Sequence, residues 1–195
     1  MLDDKKLKEV QYRVKQYLDN GIIRTKQQKE FVNFFLSNAE KSLNSANALY
    51  DLSIDKEMQN KTGYINFDGF LWVVNACYYS MFYMARALLE NEGIKIKSDL
   101  SVHVITFDAL VNFFYINNKL QKRFIEDFED AKEEASELLG KQKAGQLVED
   151  YFFEKEKRAI FTYDTKEIVI RAKAKTSIER AKRFNQEIKK IVKGY

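Results

Sequence analysis

An all-α fold, an antiparallel up-and-down bundle of about five to seven helices, is what this sequence predicts. Three observations lead to it. The 195 residues contain no proline and only seven glycines, the two residue types that break or weaken helices. Apolar residues recur at steps of three and four through most of the chain, the period of a helix with one buried face. The turn punctuation that a sandwich or barrel needs every ten residues or so is missing. At 45% hydrophobic and 32% charged, the chain can bury a real core and is patterned too regularly for disorder.

Each element can be justified in order. A first helix spans 2–18 and stops at Asn20-Gly21, a left-handed stop signal. Thr25 is placed to cap a second, long helix reaching about residue 53, with Phe31, Phe35, Ala39, Leu43, Ala46 and Leu49 as its inward stripe. Residues 54–66 read as a loop. Either Asn66 or Asp68 opens the third helix, 67–92, whose unbroken apolar character makes it the most buried, with Tyr79, Phe82, Ala85 and Leu89 inward. It stops near Gly93 and runs into an extended Lys-x-Lys-Ser. A fourth helix begins at Ser98 or Asp99 and ends near Tyr115, before an Ile-Asn-Asn turn. Residues 119–139 form an acidic helix with Leu120, Phe124, Phe128, Ala131 and Ala135 inside, closed by Gly140, and another helix covers 141–161. Asp164 with Glu167 makes a cap pairing for the last helix, which carries Ile170, Ala174, Ile178, Ala181, Phe184, Ile188 and Ile191 on one side.

No repeat, low-complexity tract or linker marks a boundary, so the chain reads as one compact domain. Residues 1–34 give the N-terminal helix and the start of the second, 35–195 give the main bundle, and 119–140 are a helical insertion in it. The apolar run 70–85 is short of the ~20 residues a bilayer requires, carries Asn75 and Ser80, and meets Arg86, so it is read as core rather than membrane. The first ten residues have no apolar signal-peptide core, and the single Cys77 permits no internal disulfide; both fit a cytoplasmic protein. Cys77 itself is expected to be a small buried hydrophobe.

Charge is uneven. Residues 166–195 hold ten Lys/Arg against three Glu, while 126–156 hold eleven Asp/Glu against four Lys. That asymmetry fits a polyanion-binding face with Lys173, Lys182 and Lys189 on it, or two surfaces that attract one another, or plain solvated helix faces. The sequence has neither a glycine-rich phosphate loop nor enough Cys and His for a structural zinc site, and no metal or cofactor is expected. The one histidine, His103, lies among apolar neighbours and reads as packed or surface rather than catalytic. The acidic run at 126–134 lacks the Glu-x-x-His pair of di-iron bundles.

The segment "EKEKRAIFTYD", 154–164, offers Arg158 and Tyr163 five residues apart. On an unbroken helix that spacing rotates by about 140°, but a break at Asp164 would let both side chains face one cleft. There Arg158 is suited to fork onto a phosphate. The plainer reading is an Arg158–Glu154 surface pair with Tyr163 plugging a helix end.

Three stretches carry a family resemblance: "SNAEKSLNSANALYD", "ACYYSMFYMARALLENEGIKIKSD" and "KRAIFTYD" before a final helix. Together they resemble the HEPN domain, in particular small stand-alone prokaryotic HEPN proteins. The family's Tyr-Tyr-x-x-Phe-x-x-Ala-Arg-Ala-Leu-Leu is matched by Tyr78, Tyr79, Phe82, Ala85, Arg86, Ala87, Leu88 and Leu89, and its Gly and Lys-Ser by Gly93, Lys97 and Ser98. The resemblance spans about residues 35 to 193. It implies a HEPN-like bundle, a homodimer whose cleft combines Arg158 and Tyr163 of both chains, and phosphate binding by Arg86, Lys97 and Ser98. It also implies a toxin–antitoxin or defence setting, RNA or nucleotide as ligand, and a minimal nucleotidyltransferase as antitoxin-like partner.

Where the family cuts RNA it uses Arg-x4–6-His, without metal. Here Tyr163 stands in the histidine slot and Asp99 replaces the histidine of Lys-Ser-His. A tyrosine, with a pKa near 10, is a poor base at neutral pH. Two readings follow: a weak or inactive metal-independent endoribonuclease, or a binding module for the partner with no chemistry of its own.

Overall fold

The computed structural model describes residues 3–26, 29–97, 101–152 and 160–193, with the side chains of 139–168 outside that description. Among the described residues there are seven α-helices, a π-helical turn and one two-stranded sheet. The elements are α1 (Asp4–Asp19), β1 (Ile23–Thr25), α2 (Val32–Ile54), α3 (Lys56–Thr62), α4 (Phe70–Asn91), β2 (Ile94–Ile96), α5 (Val102–Leu110), α6 (Lys122–Phe152) and α7 (Ile160–Lys193). The fold is all-α in class, and none of the described helices is long and apolar enough to cross a membrane.

The centre is α4. Its residues are buried on nearly every side, including Val73, Val74, Met81, Met84, Ala85, Leu88 and Leu89, because α2 packs on one flank and α7 on another. Small residues at the crossings, Ala39 and Ala46 of α2 and Ala174 and Ala181 of α7, let the backbones approach closely. The stripe of α7 is as its sequence predicts, with Ala174, Ile178, Ala181, Phe184 and Ile188 buried. So is that of α6, where Phe128 stacks between Phe107 of α5 and Phe184 of α7 at 6.4 and 5.7 Å.

Several local expectations are corrected. Tyr79 is 42% exposed rather than inward, and Phe31 is 51% exposed. Thr25 lies in β1, not at a helix cap, and α2 starts at Val32. Residues 54–66 contain α3, because the Asp55 carboxylate caps it by accepting from the Met58 N–H, and Gly63 ends it at φ +78°. The buried Gln59 side chain then donates to the carbonyls of Leu52, Ser53 and Phe67, tying the α2–α4 connection together. Gly140 does not close a helix, since α6 continues to Phe152. Asp164 is inside α7 rather than at its cap, so the expected break there is absent. After α5 the chain widens into a π-turn at Val111–Tyr115, with the Ile116 N–H reaching the Val111 carbonyl.

The sheet pairs Ile23 with Ile96, Arg24 with Lys95 and Thr25 with Ile94, antiparallel. Gly93 makes this possible: its φ is +73°, and a Cβ there would lie 2.1 Å from the Lys26 carbonyl oxygen. On the other side, Arg13 of α1 forks onto Asp108 of α5 with two 2.8 Å bonds, while the Asp108 side chain is wholly buried.

Two stability outcomes follow from these contacts. Gly93→Ala is expected to lose about 2 kcal/mol in urea unfolding, since both φ and the approach to Lys26 forbid a side chain. Arg13→Ala is expected to lose about 3 kcal/mol by leaving a buried carboxylate unpaired, and the double change Arg13→Met/Asp108→Leu to lose less than the single one.

Candidate functional site: a cationic, aromatic cleft

The two strands bring their basic residues beside the start of α2 and the last turns of α4. A cleft of about 380 Å³ opens there, lined by Arg24, Lys26, Phe31, Phe34, Phe35, Arg86, Glu90, Lys95, Ile96 and Lys97. The alternation of β2 explains part of the lining: Ile94 packs into the core while Lys95 and Lys97 share the opposite face. Backbone bonds from Lys97 N–H to the Ile22 carbonyl and from Lys26 N–H to the Gly93 carbonyl, both 2.8 Å, hold the strand ends that carry the cations.

Five of the lining residues are cationic and one is acidic. That acid, Glu90, is buried at the base of the cleft, where it pairs with Lys95 at 3.3 Å and accepts from the Phe31 N–H at 3.3 Å. It therefore neutralises Lys95 and anchors the first residue before α2. Among the described residues no carboxylate lies within ion-pair distance of Arg24, Lys26, Arg86 or Lys97. The Arg86 guanidinium sits 4.8 Å from the centre of the Phe35 ring, a cation–π arrangement. Burial lowers the Arg86 pKa from its usual value and Glu90 opposes that shift. The exposed faces of Phe31 and Phe34 complete the rim. Chemically this is a surface for an anion with a flat or apolar part. A wider depression of about 470 Å³ lies past Lys26, lined by Thr25, Lys29, Asn91, Glu92 and Gly93, but it holds no ring.

Of the residues expected to bind phosphate, Arg86 and Lys97 meet in this cleft. Arg158 and Ser98 lie outside the described residues, as does the side chain of Tyr163, whose backbone belongs to the first turns of α7. Lys173, Lys182 and Lys189 do not line the cleft. Lys173 pairs with Glu137 at 4.0 Å and Lys189 with Glu40 at 2.6 Å, while Lys182 is exposed. Farther along the helices Arg180, only 8% exposed, bonds Glu134 at 2.8 Å and approaches Asp127, as does Arg183. Lys173, Arg180 and Arg183 thus meet acidic residues of α6, and part of the charge asymmetry is resolved between the two helices.

Arg24, Lys26, Lys95 and the three phenylalanines were not legible as site residues one by one. The one local hint is "GIKIKS", where apolar and basic residues alternate over four positions after a glycine; "GIIRTK" follows a glycine too but does not alternate.

Beside the cleft, His103 Nδ1 and the Tyr78 hydroxyl form a 2.7 Å hydrogen bond. The imidazole lies 4.3 Å from the Phe82 ring centre and 5.8 Å from that of Tyr79. Burial, then Lys132, then Arg86 hold its pKa below the ordinary value. Cys77 is buried among core residues, and burial pushes its thiol up to about 12, so it behaves as a hydrophobe.

No family model, curated protein or solved structure matches the chain.

Because His103 is the only histidine, its proton resonance reports one site. Its titration midpoint is expected below about 6.5, and Lys132→Ala is expected to move it upward. The sign for stability follows: below about pH 6.5 the unfolded chain binds the proton first, so acidification toward the folded midpoint costs stability.

Proposed function

We propose that this chain is a HEPN-like RNA- or nucleotide-binding protein of the toxin–antitoxin or defence type, and that the cleft is where it holds its ligand. One observation carries the reading. Arg86 and Lys97 come from separate parts of the fold and are the described basic residues singled out by the resemblance of "ACYYSMFYMARALLENEGIKIKSD"; both line one cleft whose cations other than Lys95 have no carboxylate partner among the described residues, beside exposed phenylalanines. Phosphate oxygens match the guanidinium fork and lysine charges, and a base matches a ring face.

Binding at this cleft is separable from cleavage. Any cutting would be metal-independent attack of a ribose 2′-OH on the adjacent phosphate, with Arg158 stabilising the developing charge and Tyr163 in the place of the family's base. The homodimer and the minimal nucleotidyltransferase partner belong to this same proposal. In the alternative, the chain serves only as a helical binding module for that partner.

The test is binding of a short fluorescein-labelled single-stranded RNA across a salt series. The logarithm of affinity is expected to fall linearly with that of salt, by roughly 0.7 for each phosphate neutralised. Arg86→Ala with Lys97→Ala should weaken binding at least about tenfold and flatten the slope. The triple change Lys173→Glu, Lys182→Glu, Lys189→Glu should do much less. Unchanged affinity in the Arg86/Lys97 variant would reject the cleft as the ligand site.

A further inference from the structure

Among the described residues, helix α4 is covered on every side but one. The uncovered side follows Trp72, Ala76, Tyr79, Tyr83 and Arg86, steps of four and three that keep to one stripe. Trp72 is 53% exposed and Tyr79 42%, unusual values for aromatic residues on the central helix of a core. The rings touch in series: Phe34 with Phe35 at 5.4 Å, Phe35 with Tyr83 at 6.5 Å, and Tyr83 with Tyr79 at 6.3 Å. The row therefore starts inside the cationic cleft and leaves it along α4.

We propose that this row is a stacking track for a single-stranded nucleic acid whose phosphates enter the cleft and whose bases lie over Tyr83, Tyr79 and Trp72. It rests on the reading of the cleft as a phosphate site and adds the form of the ligand and its path. The fourteen steps from Trp72 to Arg86 advance about 21 Å along the helix, room for a few extended nucleotides. Bases already paired and stacked within a duplex cannot offer their faces to such a row, so the track selects single strands.

Charge favours this occupant over a second copy of the chain. Residues 72–86 contain no carboxylate and no lysine, and end in Arg86. Tyr79 packs edge-on against His103, which feels both Lys132 and Arg86. A polyanion leaving the cleft along this stripe is held at Arg86 and meets no carboxylate of residues 72–86.

Trp72 is the only tryptophan, so intrinsic fluorescence reads the far end of the track directly. A uridine dinucleotide and a uridine octanucleotide are titrated against the unaltered chain, Tyr79→Ala, Tyr79→Phe and Arg86→Ala, with affinity by competition and mass in solution by light scattering. The octanucleotide, not the dinucleotide, is expected to quench Trp72. Tyr79→Ala should weaken the octanucleotide about tenfold and leave the dinucleotide within twofold, and Tyr79→Phe should bind as the unaltered chain does. Loss with Arg86→Ala but none with Tyr79→Ala, and a silent Trp72, would overturn the track and leave the cleft standing. Indifference to Arg86→Ala as well would remove the cleft reading too. A fall in mass on Tyr79→Ala would make the stripe a protein interface and likewise overturn the track.

Discussion

One hydroxyl ties the bundle together. Ser80 of α4 donates to the Ala39 carbonyl of α2 at 2.7 Å and accepts from the Asn185 side chain of α7 at 2.8 Å, all of it buried. The three helices can make these bonds only in one register, because the serine side chain is short and the crossing residues are small. Small residues bring the backbones close enough for the bond, and the bond fixes which small residues face each other. The oxygen of the Asn185 amide is buried and has no hydrogen-bond partner among the described residues, which carries a desolvation cost.

With α4 held by α2 and α7, its last turns become a fixed platform. Gly93 then turns the chain sharply enough for β2 to run back along β1, and only a residue without Cβ tolerates the Lys26 carbonyl at that distance. The platform presents Arg86 and Glu90, while the sheet presents the lysines. Glu90, sunk at the base, joins them by holding Lys95 and the backbone before α2. Among the described residues its single charge leaves Arg24, Lys26, Arg86 and Lys97 without a carboxylate partner, and that excess gives the cleft its chemical character.

The opposite flank is built differently. There α6 and α7 carry opposite charges, and Arg180 sits between Asp127 and Glu134 with little exposure. Burial raises the Asp127 pKa, with Arg183 and Arg180 pulling it back down. Part of a basic helix face that looks in isolation like a track for a polyanion is thus engaged by its neighbour, through Lys173, Arg180 and Arg183.

The sequence by itself determined the helices with a regular stripe, the helical class, and α4 as the central element. Periodicity and the absence of proline act locally, within a few residues, so they can be read from a string. Arg86 and Lys97 were legible only through a resemblance in their neighbourhood, not through any property of either residue alone. Tertiary structure decided the rest. The strand pair joins segments about seventy residues apart in the chain, and three-residue strands are too short to declare a period. Tyr79 looked inward because it belongs to an apolar run. Its exposure follows from which side of α4 has no neighbour among the described residues, a matter of how α2, α5, α6 and α7 share the circumference of one helix. The pairing of charges between α6 and α7 was undetermined for the same reason, since composition gives the signs of two surfaces but only packing says whether they meet.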